Sequence, residues 1–253
     1  MARYSDFLSF VCNIIFFIAM VIFMAQKSQQ RIGANPPLSL HEVAYRELRN
    51  AILNGVFSPG QVLRQEEVAN RLGVSRSPLR EALPRLESEG MVVLNPRRGY
   101  SVAKLEAEHI IEAFELRTLL EQELGRHAIR RRTNAEIAEV YSILAAMGTA
   151  AELSEEDMNQ WFELNAQFHL ALFASANRPQ YMRALNGTRG AIECYVRAEV
   201  RLTGDLTEAQ AEHSEIARAF ATGDEEGFLS LIREHSFHTK NRLLSGLERQ
   251  VEA

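Results

Sequence analysis

Apolar and polar positions fall into three regimes along the chain. From Phe7 to Ala25 the sequence FLSFVCNIIFFIAMVIFMA carries no charge, and Asn13 is its only strongly polar interruption. From Leu38 to about Lys104, short periodic runs are punctuated by glycine and proline. Beyond residue 105, long stretches repeat near every 3.6 residues and no strand alternation appears. In the middle regime Val43, Tyr45, Leu48, Ile52 and Leu53 form one helical stripe, which Asn54-Gly55 stops and the turn Ser58-Pro59-Gly60 follows. A second short helix is predicted over Gln65–Leu72, ending at Gly73. A third is predicted from an N-cap at Ser75 to Ser88, ending at Gly90. Met91–Leu94 and Tyr100–Ala103 read as two strands around the turn Asn95-Pro96-Arg97-Arg98-Gly99. The last regime predicts helices over about 106–130, 134–150, 154–175, 179–201, 207–222 and 224–247, with breaks at Gly148, Asn177-Arg178-Pro179, Thr203-Gly204 and Thr222-Gly223.

The predicted fold class is mainly α: an N-terminal winged helix-turn-helix of three helices and a β-hairpin, then an all-α bundle of about six helices. The expected divisions are an apolar segment with a polar linker over 1–37, a reader over 38–104 and a helical domain over 105–250. The apolar segment is long enough to span a bilayer. It reads as a membrane anchor, as a signal peptide without a convincing cleavage site, or as the product of a misassigned start upstream of Met24. Charge sharpens the division. The chain carries −5 overall, yet 38–104 has ten Lys/Arg against seven Asp/Glu, and 105–253 carries −10. A basic module on an acidic one points to different partners. With only Cys12 and Cys194, a disulfide framework and a cysteine zinc finger are excluded.

The third helix has the chemistry of a recognition helix. Ser75, Arg76, Ser77 and Arg80 stand at its N-terminus. Hydroxyls and helix-start amides there bind phosphate, and an arginine grips guanine O6 and N7. Arg97, Arg98 and Gly99 form the hairpin tip, where glycine permits close backbone approach and arginine enters a minor groove. A solvated helix face accounts for any one of these arginines taken alone; the whole set in this topology points to DNA. The run GVSRSPLREAL…L…EGMV…P…GYSV, within Tyr45–Val102, resembles the GntR-family DNA-binding domain. That resemblance implies operator contacts from Ser75, Arg76, Ser77 and Arg80, with Gly99 at the wing. Two residues depart from the pattern: Pro84 lies inside the recognition helix, and Glu66 stands where some relatives carry a base.

Seven histidines are present, and three draw attention. His169 shares a helix face with Asn165, His213 precedes the apolar Ile216, Ala217 and Phe220, and His235 lies on the last helix. Inward-pointing imidazoles from three helices can hold one metal, although a buried histidine bonded to backbone gives the same spacing. The segments ELRTLLE, LNAQFHLALFASANRP, EHSEIARAFATGD and IREHS resemble the FCD helical effector domain of the FadR subfamily, over about Glu108–Leu244. The resemblance implies a divalent metal, zinc first and nickel or manganese as alternatives, on Asn165, His169, His213 and His235. Relatives carry aspartate at the position of Asn165, so one charge is lost here. His238 is a competing ligand that reads as surface or as support for the site. Arg117 occupies a position that the resemblance assigns to the cavity, where it would bind an effector carboxylate; an exposed helix arginine is the plain alternative.

These readings converge on a cytoplasmic, ligand-responsive transcription regulator, a repressor, that binds an inverted-repeat DNA operator as a homodimer and senses a small organic acid. Two alternatives stand beside it. One is a metal-dependent enzyme with Glu121 or Glu163 as base, although no P-loop, GxSxG or HExxH is present. The other is a membrane-anchored reader, which requires that residues 7–25 be translated.

Overall fold

A computed structural model describes residues 39–148, 155–203 and 206–252. The apolar segment 7–25, the linker and Met24 therefore lie outside the described residues. Residues from Leu40 onward form one compact unit with two hydrophobic cores. Among the described residues, no helix is long and apolar enough to cross a membrane.

The smaller core belongs to the reader. Helix α1 (Leu40–Leu53) buries Tyr45, Leu48, Ile52 and Leu53, then stops at Gly55. Helix α2 (Gln65–Leu72) ends on Gly73 in the left-handed conformation, φ 66°. Helix α3 (Arg76–Ser88) turns Leu79, Ala82, Leu83 and Leu86 into the core. Pro84 does not end it, since the helix continues to Ser88 with Pro84 on its exposed side. The expected hairpin is present as β2 (Val92–Asn95) and β3 (Gly99–Val102), but the sheet has a third strand. Strand β1 (Val62–Leu63) pairs antiparallel with β3, Val62 opposite Ser101, giving the order β1-β3-β2. Two residues offer too short an apolar run to read as a strand. The edge of β3 creates β1 by supplying its hydrogen-bond partners.

Six helices build the second core: α4 (Ala107–Arg131), α5 (Asn134–Met147), α6 (Glu155–Leu172), α7 (Pro179–Thr203), α8 (Thr207–Thr222) and α9 (Glu225–Glu252). Helix α5 starts with a reciprocal capping box between Thr133 and Glu136 and stops before Gly148. Helix α6 gives way to a short 3₁₀ turn at Ala174–Ala176. Proline opens α7 at the first helical position, where its missing N–H costs nothing. Phe114, Phe168, Phe173, Phe220 and Phe228 are fully buried among these helices. Truncating any one of them to alanine costs about 3–5 kcal/mol by lost transfer energy and the cavity left behind.

Helix α7 is also where the bundle meets the reader. The Ala191 N–H donates to the Glu89 carbonyl at 2.9 Å. A Cβ on Gly190 would lie 2.6 Å from Met91 Cγ and 2.8 Å from the Glu89 carbonyl oxygen, so only glycine permits this approach. Charged groups close the seam. Arg49 of α1 donates to the buried Glu193, and Arg201 donates to the Leu53 carbonyl. Arg197 reaches Asn54 Oδ1 at 3.4 Å and Asn159 Oδ1 at 2.6 Å, with its guanidinium 4.4 Å from the centre of the Phe162 ring.

Candidate nucleic-acid interface and metal centre

The reader presents its sequence-predicted residues together on the outside. Ser75, Arg76, Ser77 and Arg80 are all exposed on the first turns of α3. Ser75 holds the extended conformation of an N-cap, but its hydroxyl makes no capping bond to the helix. The N-cap position is the one the sequence predicts, and hydroxyl and first-turn amides are both left for an outside acceptor or anion. At the wing, the Arg98 N–H donates to the Asn95 carbonyl at 3.0 Å, which closes a tight turn. Pro96 presets φ at its first corner, and a positive φ at the second is the pattern of a type II turn. Arg97 occupies that corner at φ 65°, and Gly99 follows at φ 81°. A left-handed arginine costs about 1–2 kcal/mol. It is tolerated at the tip, where Arg97 and Arg98 are both exposed.

Other basic residues of the reader are occupied. Arg85 lies 3.5 Å from the centre of the Tyr45 ring and pairs with Glu42 at 2.8 Å and Glu89 at 3.5 Å. Arg64 pairs with Glu67, and Arg49 is committed to the seam. Among the described residues, Arg76, Arg80, Arg97 and Arg98 have no such carboxylate partner. Glu66 is exposed on α2 and adds negative charge to that helix.

The second site is inside the bundle. His169 from α6, His213 from α8 and His235 from α9 each place one ring nitrogen within 4.8 Å of the others. Ring centroids are 4.7 Å apart for His213 and His235 and 5.2 Å for His169 and His235. His213 is fully buried, and both its nitrogens lack a hydrogen-bond partner. An unpaired buried polar group costs about 1–3 kcal/mol. Burial, reinforced by the Arg117 charge and the neighbouring histidines, holds the His169 imidazole well below its ordinary range. Burial and then His235 and Arg117 do the same for His213. Neutral imidazole is the form that binds metal. The cavity between the rings is about 10 Å³, room for one ion or water. Asn165 and Arg117 also line it. This donor set fits a divalent cation.

Glu212, which the sequence reading missed, supports the set from behind. Its Oε2 lies 2.6 Å from His235 Nδ1 and its Oε1 lies 2.7 Å from His238 Nδ1. That contact commits His235 Nδ1 and leaves its Nε2 as the free ligand atom. Burial alone would raise the Glu212 carboxyl, but bonds from His235 and His238 and the charge of Arg242 hold it below its ordinary range. His238 is half exposed, on the far side of this carboxylate. The signal available in the sequence was His235-x-x-His238, two rings on one helix face able to share an acceptor.

A wider cavity of about 60 Å³ opens from the histidines and shares Arg117, Asn165, His169 and Val196 with them. Arg117 is 6% exposed, which overturns the plain alternative of a solvated helix arginine. Its Nε donates to Glu121 Oε1 at 2.7 Å, and Glu121 also accepts from Ser236 at 3.4 Å. Glu121 is therefore neutralised by a cation, and Glu163 is half exposed near Arg49 and Arg189. Neither is disposed as a general base toward the histidines. Glu193 forms part of the same cavity wall and bonds outward to Arg49 of the reader.

Comparison with known proteins agrees with both halves. The gntR family of bacterial regulatory proteins matches residues 40–102, and the FCD domain matches 112–237. The Nta operon transcriptional regulator of Aminobacter aminovorans is 34% identical over 129 residues, 51% of this chain and 60% of that protein. The aligned part thus spans less than two thirds of that relative. An HTH-type transcriptional regulator of Agrobacterium vitis is 36% identical over 53% of this chain and 78% of its own length. Among solved structures, McbR/YncC of E. coli superposes with a TM-score of 0.69 at 23% identity, covering 82% of this chain and 98% of that one, a likeness of fold. A GntR-family regulator from Pseudomonas syringae pv. tomato gives 0.52 at 29% identity, over 86% and 90%.

Proposed function

The chain belongs to the GntR family of DNA-binding transcription regulators, with an FCD effector domain, and from that premise we propose a repressor whose grip on DNA is set by a small carboxylate. Residues 38–104 read DNA and residues 105–250 sense the effector and dimerise. Two copies place their α3 helices about one helical turn apart on an inverted repeat. Ser75, Arg76, Ser77 and Arg80 enter the major groove, and Arg97, Arg98 and Gly99 follow the flanking groove. The family is one of regulators, so the enzyme reading is set aside. A regulator of this kind works in the cytoplasm.

His169, His213 and His235 would hold the cation, with the Asn165 carbonyl oxygen as fourth donor. Three imidazoles and one oxygen suit zinc first, then nickel or manganese. When bound, the cation supplies positive charge at the inner end of the cavity. Arg117, buried beside it, orients the acid through its guanidinium edge.

One observation carries the coupling: Glu193 lines the effector cavity and, on the same helix turn, holds Arg49 of the reader. An acid that enters the cavity changes the charge balance around Glu193 and hence the seam that fixes the reader's pose. The test is selection of genomic fragments by the purified protein at stated salt, then footprinting with and without zinc. A short protected inverted repeat is expected. Enrichment no better than non-specific DNA, from folded dimeric protein, overturns the reading.

A further inference from the structure

The cavity has a second cationic end, and what that end implies rests on the reading above that a carboxylate is held at the inner one. Leu185, Arg189, Ile192 and Val196 recur every three or four residues along α7 and line the cavity as one stripe. Val196 is shared with the histidine cavity, whereas Arg189 is not. The seven residue steps from Arg189 to Val196 rise about 10 Å along the helix. Much of the remaining lining is apolar, with Phe162, Leu170 and Ile192, and Glu193 is its charged member on the same helix.

The other charged groups of this wall are answered. Arg117 is bonded to Glu121 at 2.7 Å. Glu193 accepts from Arg49 and from Arg197 at 3.2 Å. Arg189 differs. Its Nε is buried and has no hydrogen-bond partner, and the carboxylate within its reach, the half-exposed Glu163, is 3.9 Å from Nη2. Glu163 also has Arg49 at 3.8 Å, so it keeps a cationic neighbour without Arg189. The Arg189 side chain is 38% exposed, but its Nε–H is shielded from water and unpaired, which is uncommon, and with an adjacent Nη–H it forms a two-pronged edge that matches a carboxylate.

We infer that Arg189 holds a second carboxylate, so that the effector is a linear dicarboxylate: one end at the histidine centre and Arg117, an apolar spacer along Phe162 and Ile192, the other end at Arg189. Arg189 is the residue that separates diacids from monoacids of equal length.

The test is calorimetric titration of the purified, zinc-loaded protein with succinate, adipate and suberate, each against butanoate, hexanoate or octanoate of the same length. At one length the diacid binds at least about ten-fold tighter, the low end of a charged hydrogen-bond pair. Arg189→Gln removes that margin and leaves the monoacid affinity unchanged, whereas Arg189→Lys keeps part of it; circular dichroism verifies the fold of both. Equal binding of matched mono- and diacids, lost in His213→Ala, overturns the second anchor and leaves the inner carboxylate site standing. Equal weakening of both classes by Arg189→Gln overturns it too. Binding of neither class to the zinc-loaded protein removes the inner site as well.

Discussion

The two sites of this molecule use opposite physical states of the same kind of group. In the reader, Arg76, Arg80, Arg97 and Arg98 are exposed, without the carboxylates that occupy Arg64 and Arg85. In the bundle, His169, His213 and His235 are buried and turned on one another, and burial keeps His169 and His213 neutral. An exposed cation costs the fold almost nothing and stays available to a polyanion. A buried unpaired imidazole costs stability unless something arrives to occupy it. The reader is thus complete before it meets DNA, whereas the bundle is complete only with its ligand.

The comparison breaks most sharply at His213. His213→Ala removes a ligand atom that nothing else in the cavity replaces. We expect metal affinity to fall by more than about 100-fold, beyond the loss typical of a supporting residue, while DNA binding is partly retained. Metal content after dialysis against a calibrated chelator measures this. Unchanged stoichiometry would remove His213 from the ligand set. Glu212→Gln acts one layer further out and should cost about 10–100-fold by the same assay, because His235 loses its charged support.

In the reader, two arginines on one helix sharpen the contrast. Arg76→Ala should cost about 1–3 kcal/mol of operator affinity if Arg76 reads a base, with a smaller loss on non-specific DNA. Arg85→Ala should leave the ratio of specific to non-specific binding unchanged and lower thermal stability instead, since Arg85 is spent on Tyr45, Glu42 and Glu89. Fluorescence anisotropy with operator and scrambled duplexes separates the two. An equal effect on both duplexes would place Arg76 on phosphate alone.

Acid tests the bundle's state directly. In the metal-free protein His169 and His213 titrate below their unfolded value of 6.5. The unfolded chain then binds more protons as pH falls through that value. Their contribution is full above about pH 6.5 and declines below it, by up to about 1.4 kcal/mol per pH unit for each histidine. Chemical denaturation in chelator at stepped pH should show this slope, and it should disappear in the double variant lacking both rings. A stability that stays flat from neutral pH to pH 5 would contradict burial of neutral imidazoles.

How much of this was legible in the sequence follows from the range of the interactions. Helices α2 and α3 end where Gly73 and Gly90 say they should, and the bundle helices sit within a few residues of their periodic signals. Such signals are local, carried by caps and by periodicity. Strand β1 was not legible, because Val62–Leu63 becomes a strand only when β3 lies beside it. The three histidines were named together through the family resemblance, whereas spacing alone marked them weakly, since His169 and His235 are 66 positions apart. Glu212 and Glu193 were hidden for the same reason: each acts on a residue of another helix. The seam between α7 and the reader rests on Gly190, which the sequence shows only as a glycine inside a helix.

The smallest expected effect runs in opposite directions on stability and on function. Arg97 holds φ 65° at the second corner of the wing turn, a conformation glycine adopts freely. Arg97→Gly relieves about 1–2 kcal/mol of backbone strain. It also gives the unfolded chain more freedom, which returns about 0.5–1 kcal/mol of that gain. The net is a protein more stable by about 0.5–1 kcal/mol, small against the core terms but measurable by urea denaturation. DNA binding should weaken at the same time, because the side chain that the strain positions is gone. A variant more stable but weaker on DNA means that the turn carries strain in exchange for an arginine at the tip. A variant more stable with unchanged affinity means that Arg98 and Gly99 make the wing's contact without it, and the exposed set in the reader shrinks by one.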